Sequence, residues 1–183
     1  MAVTPSTMIP LQTKAPNFEL IDVLRGKLVT LEDRKSDKAT VIVFMCNHCP
    51  FVKHILPGLI EVADKYIRKG ISFVAINSND VETYPDDSPE HMKTVAEGLG
   101  FPYLFDETQS VAKAYHAACT PDFFVFDKDL KCVYRGQFDD SRPRSDIPVT
   151  GHDLSEALDA VLAGRPVSEN QKPSIGCNIK WRT

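Results

Sequence analysis

Two hydrophobic periods share this chain, and the places where one gives way to the other mark its elements. Val41-Ile42-Val43-Phe44-Met45 is an unbroken apolar run of strand length, the pattern of a strand buried on both faces. After Cys46-Asn47-His48-Cys49-Pro50, the residues Val52, Ile55, Leu56, Leu59, Ile60, Ala63 and Ile67 recur at helical spacing as far as Gly70, a C-terminal stop. Pro57 falls inside that pattern and should kink the helix, because it lacks an N–H and its ring crowds the preceding turn. Ile71-Ser72-Phe73-Val74-Ala75-Ile76 is a second buried strand. Strand, helix and strand in that order predict a parallel pair with a right-handed crossover.

Upstream, residues 1–15 are polar and aperiodic, as a surface arm would be. Two short alternating runs, 18–23 and 27–31, flank Leu24-Arg25-Gly26 and predict an appended hairpin, followed by a charged loop over 32–38. Downstream, 81–87 reads as loop, and Ser88-Pro89 opens a helix with Met92, Val95, Ala96 and Leu99 on one face. A short strand at 101–105 and a short helix at 108–116 come next. Asp122-Phe123-Phe124-Val125-Phe126 and 131–138 then form an antiparallel hairpin around the polar turn 127–130. Leu154, Ala157, Leu158, Val161 and Leu162 set out a terminal helix ended by Gly164 and Pro166. The tail, 167–183, holds Cys177 and Trp181 and shows little periodicity.

Composition narrows the function classes. With 183 residues, 43% of them hydrophobic, the chain can bury a core without disulfide staples. One domain is expected, with an arm and hairpin at 1–38, a core at 39–163 and a tail at 164–183. A net charge of −4 with interspersed signs offers no basic stripe, so nucleic acid is not an expected partner. No stretch has the pattern of a secretory signal or a membrane span, and a cytoplasmic protein with no membrane partner is expected. The five cysteines, Cys46, Cys49, Cys119, Cys132 and Cys177, are an odd number in a chain of this size. Reactive or metal-binding cysteines are therefore favoured over a structural framework.

Cys46 and Cys49 stand where a strand hands over to a helix. A thiol there feels the unpaired N–H groups and the positive end of the helix dipole, which favour the nucleophilic thiolate. Two cysteines one helical turn apart can also approach disulfide distance. Taken with the crossover, the parallel strand, Thr120-Pro121, the hairpin and the last helix, this succession resembles the thioredoxin-like fold over roughly residues 39–163. Cys46-Asn47-His48-Cys49-Pro50-Phe51 with Ala118-Cys119-Thr120-Pro121-Asp122-Phe123-Phe124-Val125-Phe126 is similar to the redoxin branch of that superfamily, the AhpC/TSA-type proteins akin to peroxiredoxins. The N-terminal hairpin and the long 77–105 connection are similar to that branch as well.

The resemblance implies an α/β protein with a central mixed sheet flanked by helices, and a thiol:disulfide oxidoreductase needing no cofactor. It implies that Cys46 is the exposed nucleophile and Cys49 the resolving thiol. His48, and with it Asn47, would tune the pair, since a histidine beside the nucleophile can donate to its thiolate. Pro121 would be cis and face the pair, and the backbone just before it would dock the substrate, making Thr120 and Pro121 the binding candidates. Partners would be a disulfide-containing protein or a small disulfide, and an electron donor such as a thioredoxin or glutathione system.

Cys119 and Cys177 could each be an additional redox thiol, a metal ligand or simple packing, and Cys132 reads as packing. Two other functions remain open. One is peroxide reduction, with Cys46 oxidised to a sulfenic acid and Cys49 resolving it. The other is a metal-binding module built from Cys46, Cys49 and one of His48, His54 or Cys119. The Pro-x-x-x-Thr-x-x-Cys lead-in of peroxiredoxins is absent: its Pro and Thr positions, counted back from Cys46, are Ala39 and Val43. Arg142 or Arg144 would have to supply the cation that such a site uses. Met45 stands where thioredoxins carry tryptophan before the pair.

Overall fold

The computed structural model describes residues 3–183; Met1 and Ala2 of the expected arm lie outside the described residues. Its centre is β4 (Ala39–Phe44), in which all six residues are buried. Because side chains alternate across a strand, Val41 and Val43 enter one core, while Ile42 and Phe44 enter the other. α2 (Pro50–Ile67) crosses over to β5 (Ser72–Asn77), which runs parallel to β4 from Thr40↔Ser72 to Phe44↔Ile76. α2 continues through Pro57 as one helix.

α3 (Pro89–Ala96) leads to β6 (Tyr103–Phe105), parallel to β5. On the other side of β4 lies β8 (Asp122–Asp127), antiparallel to it, followed by β9 (Cys132–Gly136). The hairpin of β2 (Glu19–Asp22) and β3 (Lys27–Thr30) completes a seven-stranded sheet in the order β3-β2-β6-β5-β4-β8-β9. α2 and α5 (His152–Leu162) cover one face, with Val52, Ile55, Leu59, Leu154 and Leu158 packed on Phe73, Phe123 and Val125. α4 (Ser110–Ala114), with Val111 and Ala112, and Tyr115 cover the other. This is the expected thioredoxin-like class: a mixed sheet between helices, with the hairpin ahead of the first core strand.

Several local expectations are corrected. The hairpin is joined to the central sheet, because β2 pairs with β6 through Ile21↔Phe105. The charged loop after it begins with a helical turn, α1 (Leu31–Arg34), which Thr30 and Asp33 close with a reciprocal capping box. Ser88 stands at the N-cap of α3 without bonding a helix N–H; its hydroxyl pairs with His91 Nδ1 at 2.8 Å. The largest correction concerns both termini. Val3–Pro5 is a strand, β1, and the tail contains another, β10 (Ile175–Asn178). β10 lies between β1 and β7 (Cys119–Thr120), forming a second sheet of three strands in the order β1-β10-β7.

One polar group stands out in the core. Arg135 and Asp122 are wholly buried, with Arg135 Nη2 2.9 Å from Asp122 Oδ2. The guanidinium also donates to the carbonyl oxygens of His116 at 2.8 Å and Tyr115 at 3.5 Å and lies over the Phe124 ring. Asp122 follows Pro121, so this pair holds the chain on both sides of β7.

Candidate active site

The pair sits where β4 ends and α2 begins. Pro50 is the first residue of α2, which suits a position whose N–H would be unpaired anyway, and Cys49 is the N-cap. Cys46 lies outside the first turn. The helix terminus therefore serves Cys49, whose sulfur accepts from the Val52 N–H, and this corrects the expectation that the dipole acts on Cys46. A second correction concerns access. Cys46 is 1% exposed and Cys49 0%, so neither is an exposed nucleophile in this conformation.

The Thr120–Pro121 peptide is cis, and β7 brings it against the pair. Thr120 Oγ1 is 3.5 Å from Cys46 Sγ, and the Thr120 carbonyl oxygen is 3.2 Å from Cys49 Sγ. The edge of β7 that the resemblance gives to a substrate chain is already paired with β10, through Cys177↔Thr120 and Asn178↔Cys119. That pairing sets Cys177 Sγ 2.9 Å from Cys49 Sγ. Cys119 is buried with its thiol toward the Pro121 carbonyl, 3.6 Å away. Burial pushes the Cys119 thiol well up, as for an inert packed cysteine.

Three thiols thus share one cluster, with Cys49 in the middle. Hydrogen bonds from Cys177 and Cys46 hold Cys49 far below the usual thiol range, against the opposing effect of burial. The bond to Cys49, burial and the nearby Asp87 carboxylate push Cys46 up. A sulfur flanked by two thiol donors is the one that keeps the negative charge.

Asp87 is a site residue that sequence reasoning missed. It is buried, in a 3-10 turn (Pro85–Asp87) that closes over the motif. Its carboxylate accepts the N–H of Asn47 at 2.8 Å and of His48 at 3.2 Å, and Asn79 Nδ2 at 2.9 Å. His48 Nδ1 is also 2.5 Å from Asp87 Oδ2, and only 3.9 Å from Cys46 Sγ. The ring lies flat against Tyr84. His48 is therefore held by Asp87 rather than donating to Cys46, and the hydroxyl of Thr120 is the closer polar neighbour of that sulfur. The Asn47 side chain is turned to the Asp87 turn and Tyr103: its Nδ2 donates to the Asp86 carbonyl and its Oδ1 accepts from the Tyr103 hydroxyl.

Removing the Asp87 charge while keeping an acceptor, in Asp87→Asn, is expected to raise alkylation of Cys46 by iodoacetamide at neutral pH roughly tenfold. The pH profile of alkylation should move to lower pH. An unchanged profile in a folded variant would show that the carboxylate does not act on the thiol.

Cys46 Sγ, His48 Nδ1 and an Asp87 oxygen lie within 4.8 Å of one another and are the donors that could take up a metal. This is not the set expected from sequence. Cys49 faces Cys177, His54 Nε2 is 3.2 Å from the Ser141 hydroxyl, and Cys119 faces Pro121. Arg142, a cation candidate for peroxide chemistry, is bound to the carbonyl oxygens of Asp139 and Ser141 and to Gln137 Oε1. Among the described residues, no helix is long and apolar enough to cross a membrane.

Comparison with known proteins places this geometry in context. The profile of the AhpC/TSA family matches residues 11–135. The chain is 28% identical over 120 residues to the thiol-disulfide oxidoreductase ResA of Bacillus cereus, a match covering 66% of this chain and 65% of that protein, so it spans about two thirds of the relative's length. An uncharacterized conserved protein of Geobacillus kaustophilus, of known crystal structure, is 65% identical over 100% of this chain and 97% of its own, with a TM-score of 0.98. A hypothetical protein of Sinorhizobium meliloti is 49% identical, over 98% of this chain and 99% of its own, with a TM-score of 0.95.

Proposed function

The chain belongs to the AhpC/TSA family, and from that premise we propose that it is a thiol:disulfide oxidoreductase working through Cys46 and Cys49. The observation that carries this reading is the placement of two thiols at the start of α2 against the cis Thr120–Pro121 bond, with the Thr120 hydroxyl 3.5 Å from Cys46 Sγ. The likeness to a thiol-disulfide oxidoreductase from Bacillus cereus supports it.

In the reaction, Cys46 passes its proton to Cys49 and attacks one sulfur of a substrate disulfide. A Cys46–substrate disulfide forms, and the other substrate sulfur leaves as a thiolate. Cys49 gives the proton it received to the departed substrate thiolate and attacks Cys46 Sγ, the second substrate sulfur leaves as a thiolate, and a Cys46–Cys49 disulfide remains. The substrate gains two electrons and the protein loses two, to be restored by a dithiol donor such as a thioredoxin or by glutathione. Thr120 donates to the Cys46 thiolate, and the Asp87 carboxylate opposes its formation. Substrate is a protein or small molecule bearing a disulfide.

Reduction of peroxide through a Cys46 sulfenic acid is the less supported reading. No guanidinium is offered to Cys46 by Arg142, and Val43 supplies no hydroxyl. The test sets the two activities side by side in dithiothreitol: insulin precipitation followed by turbidity, and consumption of hydrogen peroxide. The expected result is accelerated precipitation with peroxide loss no faster than the dithiol blank. Peroxide turnover without insulin reduction would reverse the assignment.

A further inference from the structure

β10 is built into the site rather than laid over it. Ser6 N–H donates to the Ser174 carbonyl at 2.8 Å and the Ser174 hydroxyl donates to the Gly136 carbonyl at 2.8 Å, fixing its start. Beyond it, Lys180 N–H donates to Asn79 Oδ1 at 2.9 Å and Asp80 N–H to the Lys180 carbonyl at 2.8 Å, fixing its end. Between these anchors Gly176 runs so close to β7 that a Cβ on it would overlap the Thr120 carbonyl. The approach brings Cys177 Sγ to 2.9 Å from Cys49 Sγ in a buried setting. A disulfide needs about 2.05 Å, so a movement of under about an ångström separates these sulfurs from a bond.

We propose that Cys177 is a third redox thiol of this site, which takes over the Cys46–Cys49 disulfide as a Cys49–Cys177 disulfide. The inference rests on the oxidoreductase reading and adds a step to it. Once Cys46–Cys49 has formed, the Cys177 thiolate attacks Cys49 Sγ. The Cys49–Cys177 bond forms, the Cys46–Cys49 bond breaks, and Cys46 leaves as a thiolate that gains the proton given up by Cys177. The two electrons already passed to substrate stay with the substrate, and no other reactant is needed.

The environment of Cys177 changes in the direction the step requires. In the reduced cluster its thiol is pushed well up, first by its bond to Cys49, then by burial and by the charge on Cys49, while Lys180 opposes. Oxidation of Cys49 removes its thiolate, and with it the bond to that thiolate and the repulsion from it. Burial and Lys180 remain. Cys177 therefore ionises more readily once there is a disulfide for it to attack. Cys46 is returned to its thiol state while the oxidising equivalent is held between α2 and β10.

The protein, reduced and freed of dithiol, is treated with one equivalent of diamide, blocked with N-ethylmaleimide and digested with trypsin. Mass spectrometry should find the Cys177 peptide cross-linked to the peptide carrying both motif cysteines, with fragmentation placing the link at Cys49 and maleimide on Cys46. Gly176→Ala, which drives β10 off β7, should lower the cross-linked fraction at least tenfold while the Cys46–Cys49 disulfide still forms. Oxidised wild-type protein that contains only Cys46–Cys49, with Cys177 blocked by maleimide, overturns the third-thiol inference and leaves the oxidoreductase reading standing. Protein that forms no disulfide at any of the three positions overturns both.

Discussion

Replacing Cys46 by serine is expected to lower insulin reduction on the order of a thousandfold, while Cys49→Ser halts the reaction midway and captures its intermediate. A serine hydroxyl at neutral pH does not attack a disulfide as a thiolate does, so loss of Cys46 removes the first bond-forming step. With Cys49 absent, Cys46 must give its proton to solvent instead, so the first exchange is slower, but no sulfur follows to release the bound half of the substrate. The Cys49→Ser protein, mixed with a disulfide-bearing protein, should therefore accumulate a mixed disulfide at Cys46 that runs as one band without reductant and as two with it. The reverse pattern, trapping at Cys49 in a Cys46→Ser protein, would exchange the roles of the two thiols. That outcome has a physical route, since Cys49 holds the charge in the resting cluster.

Arg135→Met is expected to cost about 3–5 kcal/mol of folding stability at neutral pH, as breaking a buried ion pair generally does. The substitution keeps an unbranched chain over Phe124, but it strips Asp122 of its counter-charge and removes the guanidinium donor of the Tyr115 and His116 carbonyls, of which His116 keeps the Thr7 hydroxyl. Asp122 is already pushed up by burial, more than Arg135 and its hydrogen bonds pull it down. A carboxyl raised in the folded state contributes its stability below the unfolded value and loses it as pH rises through the folded one. Without Arg135 the folded value rises further, so Asp122 in the variant enters the fold neutral at a cost of about 1.4 kcal/mol for each pH unit above the unfolded value. Urea unfolding at pH 7 and pH 5 should thus show the variant recovering roughly 2–3 kcal/mol of its deficit on acidification. A loss below about 1 kcal/mol, or one independent of pH, would mean that water or another donor replaces the guanidinium.

The parts of this protein that could be read from its sequence are those whose signals are local. The apolar run of β4, the helical spacing of α2 and the pair of cysteines between them are written in consecutive residues, and with the element order they sufficed for the fold class. Thr120-Pro121 was legible only through the resemblance, because a proline before a Phe-rich strand has no chemistry of its own. Asp87 was not legible. It sits in Tyr84-Pro85-Asp86-Asp87-Ser88, which reads as exposed turn, and it becomes a site residue because the loop folds back to meet the N–H groups of Asn47 and His48. Arg135 likewise looks like the polar face of a strand until Asp122 and Phe124 are placed around it.

The tail was the largest misreading. Ile175-Gly176-Cys177-Asn178 is short and lacks the alternation of a half-buried strand. Its strand character comes from β1 and β7, partners remote in sequence, and a glycine is placed there because two backbones meet. That glycine, Gly176, lets β10 approach β7 closely enough to seat Cys177 beside Cys49. The same pairing fills, from within the chain, the β7 edge that the resemblance gives to a substrate.

The central claim is that Cys46 and Cys49 exchange as one two-electron couple. The most direct test equilibrates the Cys177→Ser protein, which isolates that couple, across a series of reduced-to-oxidised glutathione ratios, quenches with acid and counts alkylated thiols by mass. The expected result is a single transition in which Cys46 and Cys49 lose reactivity together, with the steepness of a two-electron exchange. Cys46 and Cys49 that remain alkylated at every ratio, or that are lost independently as glutathione adducts, would contradict it.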